Sequence, residues 1–126
     1  MFGMARVLVI DDDELLRRAL RAVLEAAGYD VIEAAEGAAG LRVQRDQGAD
    51  LVLVDIFMPG VDGLEFIRTL RAELPHAKII AMSGGGGTGH ADVLRMAAAF
   101  GASRTLRKPF KPRDLLTAIR DVMGER

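Results

Sequence analysis

No cysteine occurs in the 126 residues, which excludes disulfides, thiolate nucleophiles and cysteine-held zinc. Histidine is scarce, and His76 and His90 are too few to build a histidine-rich metal site. Tryptophan is missing, tyrosine occurs once and phenylalanine five times, so the apolar content is mostly aliphatic. Neither charge sign dominates: 17 Lys and Arg against 18 Asp and Glu leave a formal net charge of −1. That balance argues against a strongly basic nucleic-acid binder and leaves only a local basic patch open. No apolar run could span a bilayer, and the start, MFGMARVLVIDDD, meets three acids after about four apolar residues, unlike a signal peptide. A cytoplasmic protein follows, with no membrane insertion and no direct nucleic-acid partner. The length predicts a single domain, residues 1–126, large enough for its own core.

What is present is an alternation of two patterns. Short apolar runs occur at Ala5 to Ile10, Asp30 to Ala34, Leu51 to Val54, Lys78 to Met82 and, most weakly, Arg104 to Leu106. Between them apolar residues recur with a period near 3.6. Leu16, Leu20 and Leu24 mark the first such face, Ala38 and Leu41 the second and Leu64, Ile67 and Leu70 the third. Val93, Leu94 and Ala97 mark the fourth, and Leu115, Ile119 and Val122 the last. Gly28, Gly48, Pro75 and Gly101 stop the first four. The pattern predicts an α/β fold, a three-layer (βα)5 doubly wound parallel sheet of flavodoxin-like type. The first, third and fourth runs do not alternate, as expected when both sheet faces are covered.

In open α/β sheets the site lies beyond the carboxyl ends of the strands. Asp11, Asp12 and Asp13 follow the first run, Asp55 the third, Ser83 and a glycine-rich segment (Gly84 to Gly87, then Thr88 and Gly89) the fourth, and Lys108 with Pro109 the fifth. With strand order 2-1-3-4-5, Asp11, Asp12 and Asp55 converge, with Ser83 and Lys108 opposite. Clustered carboxylates either raise a pKa or recruit a cation, and hard oxygen ligands favour Mg2+, with Mn2+ as the alternative. A carboxylate beside such an ion can attack phosphorus and form an acyl phosphate. The Lys108 ammonium and the Ser83 hydroxyl are then available to the phosphoryl oxygens. The competing reading of the acidic triplet is helix capping, for which Asp13 is best placed.

These residues make the chain resemble the receiver domain of two-component response regulators, whose familiar single-domain member is the chemotaxis regulator. The likeness covers residues 5 to 124 and rests on VLVIDDD, LVLVDIFMPGVDG, IIAMSG, FGA and KPF. It implies Asp55 as phosphoacceptor and Asp12 as a direct Mg2+ ligand, with Asp11 its partner through water. The Phe57 backbone carbonyl is implied as a further ligand, Ser83 as the switch hydroxyl, and Lys108 as the conserved-type lysine, its bond to Pro109 being commonly cis. Pro59, Gly60 and Gly63 resemble the usual turn before the third helix. The implied partners are a sensor histidine kinase or phosphotransfer protein and a downstream protein. The downstream contact, or a homodimer, would use the face of the fourth helix, fifth strand and fifth helix.

Three departures bear on mechanism. The aromatic switch position, three residues before the lysine, is Thr105, so a ring that flips between two states cannot operate there. Phe57 stands where a polar residue could hold attacking water, and Gly85, two beyond Ser83, also lacks a side chain for that task. Slow loss of the phosphoryl group follows. The glycine-rich segment lacks the lysine of a phosphate-binding loop and follows the wrong strand for one. It is expected to be a mobile loop beside the site. Arg104, Arg107, Lys111 and Arg113, with Asp92, Asp114 and Asp121, form either a partner surface or ordinary solvated charge. Because the last helix runs close to the end, no output domain is expected in the chain, which is read either as a stand-alone switch acting through protein contact or as a domain excised from a longer protein. Whether the chain counts as an enzyme is left open: self-phosphorylation and slow autodephosphorylation are expected, without turnover of a separate substrate. The alternative is a phosphorylation-independent interaction module of the same fold. An aspartyl-phosphate phosphatase is disfavoured, because it needs an acid where Phe57 stands.

Overall fold

Uninterrupted apolar runs need cover on two faces, and the periodic segments between them provide it. The computed structural model describes residues 5–57, 63–84 and 90–124, the last stretch with side chains from residue 93 onward. The elements are β1 (Arg6–Ile10), α1 (Glu14–Ala26), β2 (Asp30–Ala34), α2 (Gly37–Gln47), β3 (Leu51–Asp55), α3 (Gly63–Glu73), β4 (Ile79–Ser83), α4 (His90–Phe100), β5 (Arg104–Arg107) and α5 (Pro112–Met123). The strands form one parallel sheet in the order β2-β1-β3-β4-β5. This is the doubly wound (βα)5 arrangement that the sequence pattern predicts. Every residue of β3 and β4 is buried, while β5 lies at an edge and exposes Arg104 and Arg107.

Side chains alternate across a strand, and the core divides accordingly. Val7, Val9, Leu51, Leu53, Ile80 and Met82 point to the layer of α1 and α5, meeting Leu20, Leu24, Leu115 and Ile119. Leu8, Ile10, Val52, Val54, Ile79 and Ala81 point the other way, to Phe66, Ile67, Leu70 and Ala97 of α3 and α4.

The breakers act where the sequence places them. Gly28, Gly48 and Gly101, just past α1, α2 and α4, have φ of 96°, 69° and 122°, the left-handed values that end helices and favour glycine. Asp13 is the N-cap of α1, its side chain accepting from the Leu16 N–H. Arg71 of α3 donates through Nε to the Gly101 carbonyl at 3.1 Å, tying α3 to the end of α4. Strand limits differ slightly from the expectation. β1 begins at Arg6, not Ala5, and β4 runs from Ile79 to Ser83 rather than from Lys78 to Met82. The ladder continues one residue further because Ser83 pairs with Arg107, which also lengthens β5, and the Ser83 carbonyl accepts from the Lys108 N–H at 2.7 Å.

Gly63, first residue of α3, lies against the end of β3. A Cβ there would stand 2.5 Å from the Ile56 Cα and closer still to the Asp55 carbonyl oxygen. Both neighbours are backbone and cannot move aside without displacing Asp55. Gly63→Ala is therefore expected to destabilise the fold by about 1–3 kcal/mol, the usual cost of overpacking, as read by urea denaturation.

Met58, Pro59, Gly60, Gly85 to Gly89 and the side chains of His90 and Asp92 lie outside what is described. So does the expected mobility of the glycine-rich segment beyond Gly84. Among the described residues, no helix is long and apolar enough to cross a membrane.

Candidate functional site

β1 and β3 are neighbours in register, Ile10 opposite Val54. The residues that follow, Asp11 and Asp55, therefore leave the sheet side by side at its carboxyl edge. Asp11 is fully buried and Asp55 is 7% exposed, whereas Asp12 is exposed. One carboxylate oxygen from each of Asp11, Asp12 and Asp55 can be chosen so that all lie within 4.8 Å of one another. Asp13 is turned away into its capping role.

Lys108 bridges the two buried acids. Its Nζ is 3.0 Å from Asp11 Oδ2 and 3.4 Å from Asp55 Oδ2, and its side chain is 19% exposed. The peptide bond to Pro109 is cis. Gly84 makes room for the lysine stem, since a Cβ there would stand 2.7 Å from the Lys108 Cδ. The remaining acceptor atoms are also engaged. The Asp13 N–H donates to Asp11 Oδ1 at 2.9 Å, and the Phe57 N–H donates to Asp55 Oδ1 at 3.1 Å.

Burial pushes the Asp55 carboxyl above the usual carboxylate range. The Lys108 charge opposes that rise, the Asp11 charge adds to it, and the hydrogen bonds from Phe57 and Lys108 pull it back without cancelling it. The site thus strains to hold two buried carboxylates with one ammonium. All side-chain donors in the acidic cluster are hard oxygens, the chemistry of Mg2+ or Mn2+ rather than zinc, so the three aspartates fit a divalent cation.

Ser83 is fully buried at the end of β4, whose Met82 pairs with Asp55. Thr105 sits on β5 opposite Ala81 and is half-buried, with no ring to swing. Phe57 is 54% exposed. Beside Lys108, an apolar groove of about 290 Å³ runs between α1 and α5, lined by Leu16, Leu20, Pro109, Phe110 and Leu115 among others. Within the basic cluster, Arg104 pairs with Asp121, and the Asp114 carboxylate accepts from the Lys111 N–H at the start of α5. Two participants escape the sequence reading. Arg17 of α1 donates to the Asp11 backbone carbonyl at 2.6 Å, and Gly84, read there as loop, proves to be a seat for Lys108.

Residues 7–120 match the family model described as the response regulator receiver domain. The DNA-binding response regulator MtrA of Mycobacterium tuberculosis is 35% identical over 117 residues, 91% of this chain and 49% of that protein. The aerobic respiration control protein ArcA of Escherichia coli is 32% identical over 118 residues, 94% of this chain and 48% of ArcA. The chain thus spans about half the length of either relative. Among solved structures, a response regulator receiver domain protein from Clostridium thermocellum superposes with a TM-score of 0.89 at 31% identity, covering 96% of this chain and 95% of that one.

Proposed function

The chain belongs to the response regulator receiver domain family, and from that premise we propose that it is a switch that accepts a phosphoryl group on Asp55. The observation that carries this reading is the proximity of Asp55 both to the acids that follow β1 and to the Lys108 ammonium. An Asp55 carboxylate oxygen attacks phosphorus, the bond from phosphorus to the donor breaks, and the donor leaves with the bonding electrons. From a phosphohistidine donor the bond broken is P–N, and the imidazole nitrogen takes those electrons. No general base is needed, because the attacking group is the ionised carboxylate, which has no proton to lose. Asp11, Asp12 and Asp55, with the Phe57 backbone carbonyl, would hold Mg2+. That ion, when bound, would offset the negative charge of the carboxylates and of the phosphoryl oxygens. Lys108 serves the same oxygens from the other side, and Ser83 offers its hydroxyl in the modified state. Phosphorylation then shifts a population between two arrangements.

The donor is a sensor histidine kinase or a phosphotransfer protein. The apolar groove between α1 and α5 ends at Lys108, where a protein donor reaching Asp55 would rest. Output runs through the face of α4, β5 and α5, to a downstream protein or a second copy, and residues 1–126 form one receiver domain.

The test is incubation with a small phosphodonor such as acetyl phosphate, followed by intact-mass and peptide mapping. A gain of one phosphoryl group at Asp55, present with Mg2+ and lost with a chelator, is expected. No gain under any condition would favour a phosphorylation-independent interaction module instead.

The modified protein should lose its phosphoryl group slowly. The Phe57 side chain offers no polar atom to position water, and Gly85 has no side chain. Phe57→Asn is expected to shorten the lifetime roughly tenfold or more, because a polar side chain can hold water in line for attack. Decay of the unaltered protein within seconds, measured by phosphate release, would contradict this.

A further inference from the structure

Four hydrogen bonds hold Asp11. Its N–H donates to the Ala34 carbonyl at the end of β2, at 3.2 Å. Its carboxylate accepts from the Asp13 N–H and from Lys108. Its carbonyl accepts from Nη1 of Arg17, at 2.6 Å. The last bond is the one that reaches out of the site. The guanidinium approaches Asp11 through a neutral carbonyl and sends its Nε to Glu33 of β2, at 3.0 Å. Glu33 in turn accepts from Nε of Arg21, one turn further along α1, at 2.6 Å, and Arg21 also bonds Glu25. The Arg17 side chain is 14% exposed and that of Glu33 24%. The hydrogen bond from Arg21, then that from Arg17, hold the Glu33 carboxyl below the usual range against its partial burial.

This assembly exceeds what α1 needs in order to stay attached. Leu20 and Leu24 already bury that helix against the sheet. A planar fork that divides its donors between a backbone carbonyl and a carboxylate fixes the angle between two groups, which a single ammonium cannot do. The two groups here are the turn after β1 and the strand β2.

We propose that Arg17 is a positioning residue for the cation site: by gripping the Asp11 carbonyl while anchored on Glu33, it sets the turn from which the Asp11 and Asp12 carboxylates face Asp55. The inference rests on the reading of those acids as a divalent-cation site. It makes Arg17 and Glu33 outer partners of the ligands, groups whose loss typically costs ten- to a hundredfold in metal affinity.

The sign of the effect separates positioning from simple electrostatics. Arg17 carries a positive charge close to the acids, so its removal should by charge alone tighten Mg2+ binding. Positioning demands the reverse. Arg17→Met removes both the charge and the fork, whereas Arg17→Lys keeps the charge and loses the fork. Mg2+ affinity is measured by calorimetric titration of the full chain and its variants, beside urea denaturation of each without added metal. Both variants are expected to bind Mg2+ about tenfold or more weakly than the unaltered protein. Arg17→Lys carries the decision if Arg17→Met does not fold. Tighter binding in Arg17→Met, or unchanged affinity in Arg17→Lys with lowered stability alone, overturns the proposal and leaves Arg17 a clasp between α1 and β2. Failure of the unaltered protein to bind Mg2+ overturns both the cation-site reading and the inference resting on it.

Discussion

Phosphoryl uptake is expected to vanish in Asp55→Asn, while the fold is retained and gains stability at neutral pH. The loss follows from chemistry, because an amide has no ionised oxygen with which to attack phosphorus. The gain in stability follows from the environment of the carboxylate. Burial, joined by the Asp11 charge, raises the Asp55 pKa more than Lys108 and the Phe57 N–H lower it. A folded-state value above the unfolded one means that the folded protein binds the proton more tightly. That contribution to stability is complete below the unfolded pKa of about 3.9 and is lost as pH rises through the raised folded value. Asparagine does not titrate and escapes the loss. The stability advantage of Asp55→Asn should therefore grow as pH rises through that window and level off above it. Urea midpoints of the two proteins, taken without divalent cation between about pH 4 and pH 8, read this directly. Adding Mg2+ should reverse the ranking, because a ligand of the folded state stabilises whichever protein binds it better. Uptake persisting in the variant would place the acceptor elsewhere, and a flat pH dependence of the difference would mean that Asp55 is not strained by its burial.

Replacement of Lys108 should move two quantities in opposite directions. In Lys108→Met the rate of uptake from a small phosphodonor is expected to fall by about 10²-fold, the scale seen when one preorganised donor to a developing charge is removed. Mg2+ affinity, by contrast, is expected to rise. The ammonium lies 3.0 Å from Asp11 Oδ2 and 3.4 Å from Asp55 Oδ2, so it occupies carboxylate charge that a divalent cation would otherwise have alone. Methionine fills much of the volume of the lysine stem beside Gly84 and keeps the packing there. Calorimetric titration and the initial rate of mass gain measure the two effects. A fall in both would show that Lys108 holds the acids in place rather than competing for them.

The five strand and helix pairs were legible because each covered strand is an unbroken aliphatic run and most helices end on a glycine or before a proline. Strand limits were less so. Ser83 looks like the first polar residue after β4, yet its register with Arg107 and the hydrogen bond its carbonyl accepts from the Lys108 N–H keep it in the ladder. The convergence of Asp11, Asp12 and Asp55 could be deduced from strand order, since adjacent strands ending in acids leave them no other place. Their unequal burial could not. The capping role of Asp13 follows from its place nearest the helix, but no local signal tells that the turn buries Asp11 and exposes Asp12. Arg17 was invisible for a related reason: its partners are six and sixteen residues away, and only the crossing of α1 over β2 brings them together. Gly63 and Gly84 read as turn and loop glycines, because nothing local announces that another backbone or a lysine stem occupies the space a Cβ would need.

The sheet is a partition with a different interior on each side, and the site is mounted on its rim. Following the alternation along each strand, Asp11 and Asp55 belong with Val7, Val9, Leu51 and Leu53, on the α1 and α5 side. Ser83 belongs with Ile79 and Ala81, on the α3 and α4 side, and Thr105 is registered opposite Ala81. New charge on Asp55 would thus arrive in one chamber while the hydroxyl drawn toward it is rooted in the other. On the proposed reading such a rim would work as a feedthrough: tension there would reach the packing of α4 without any rearrangement of the aliphatic wall between the chambers.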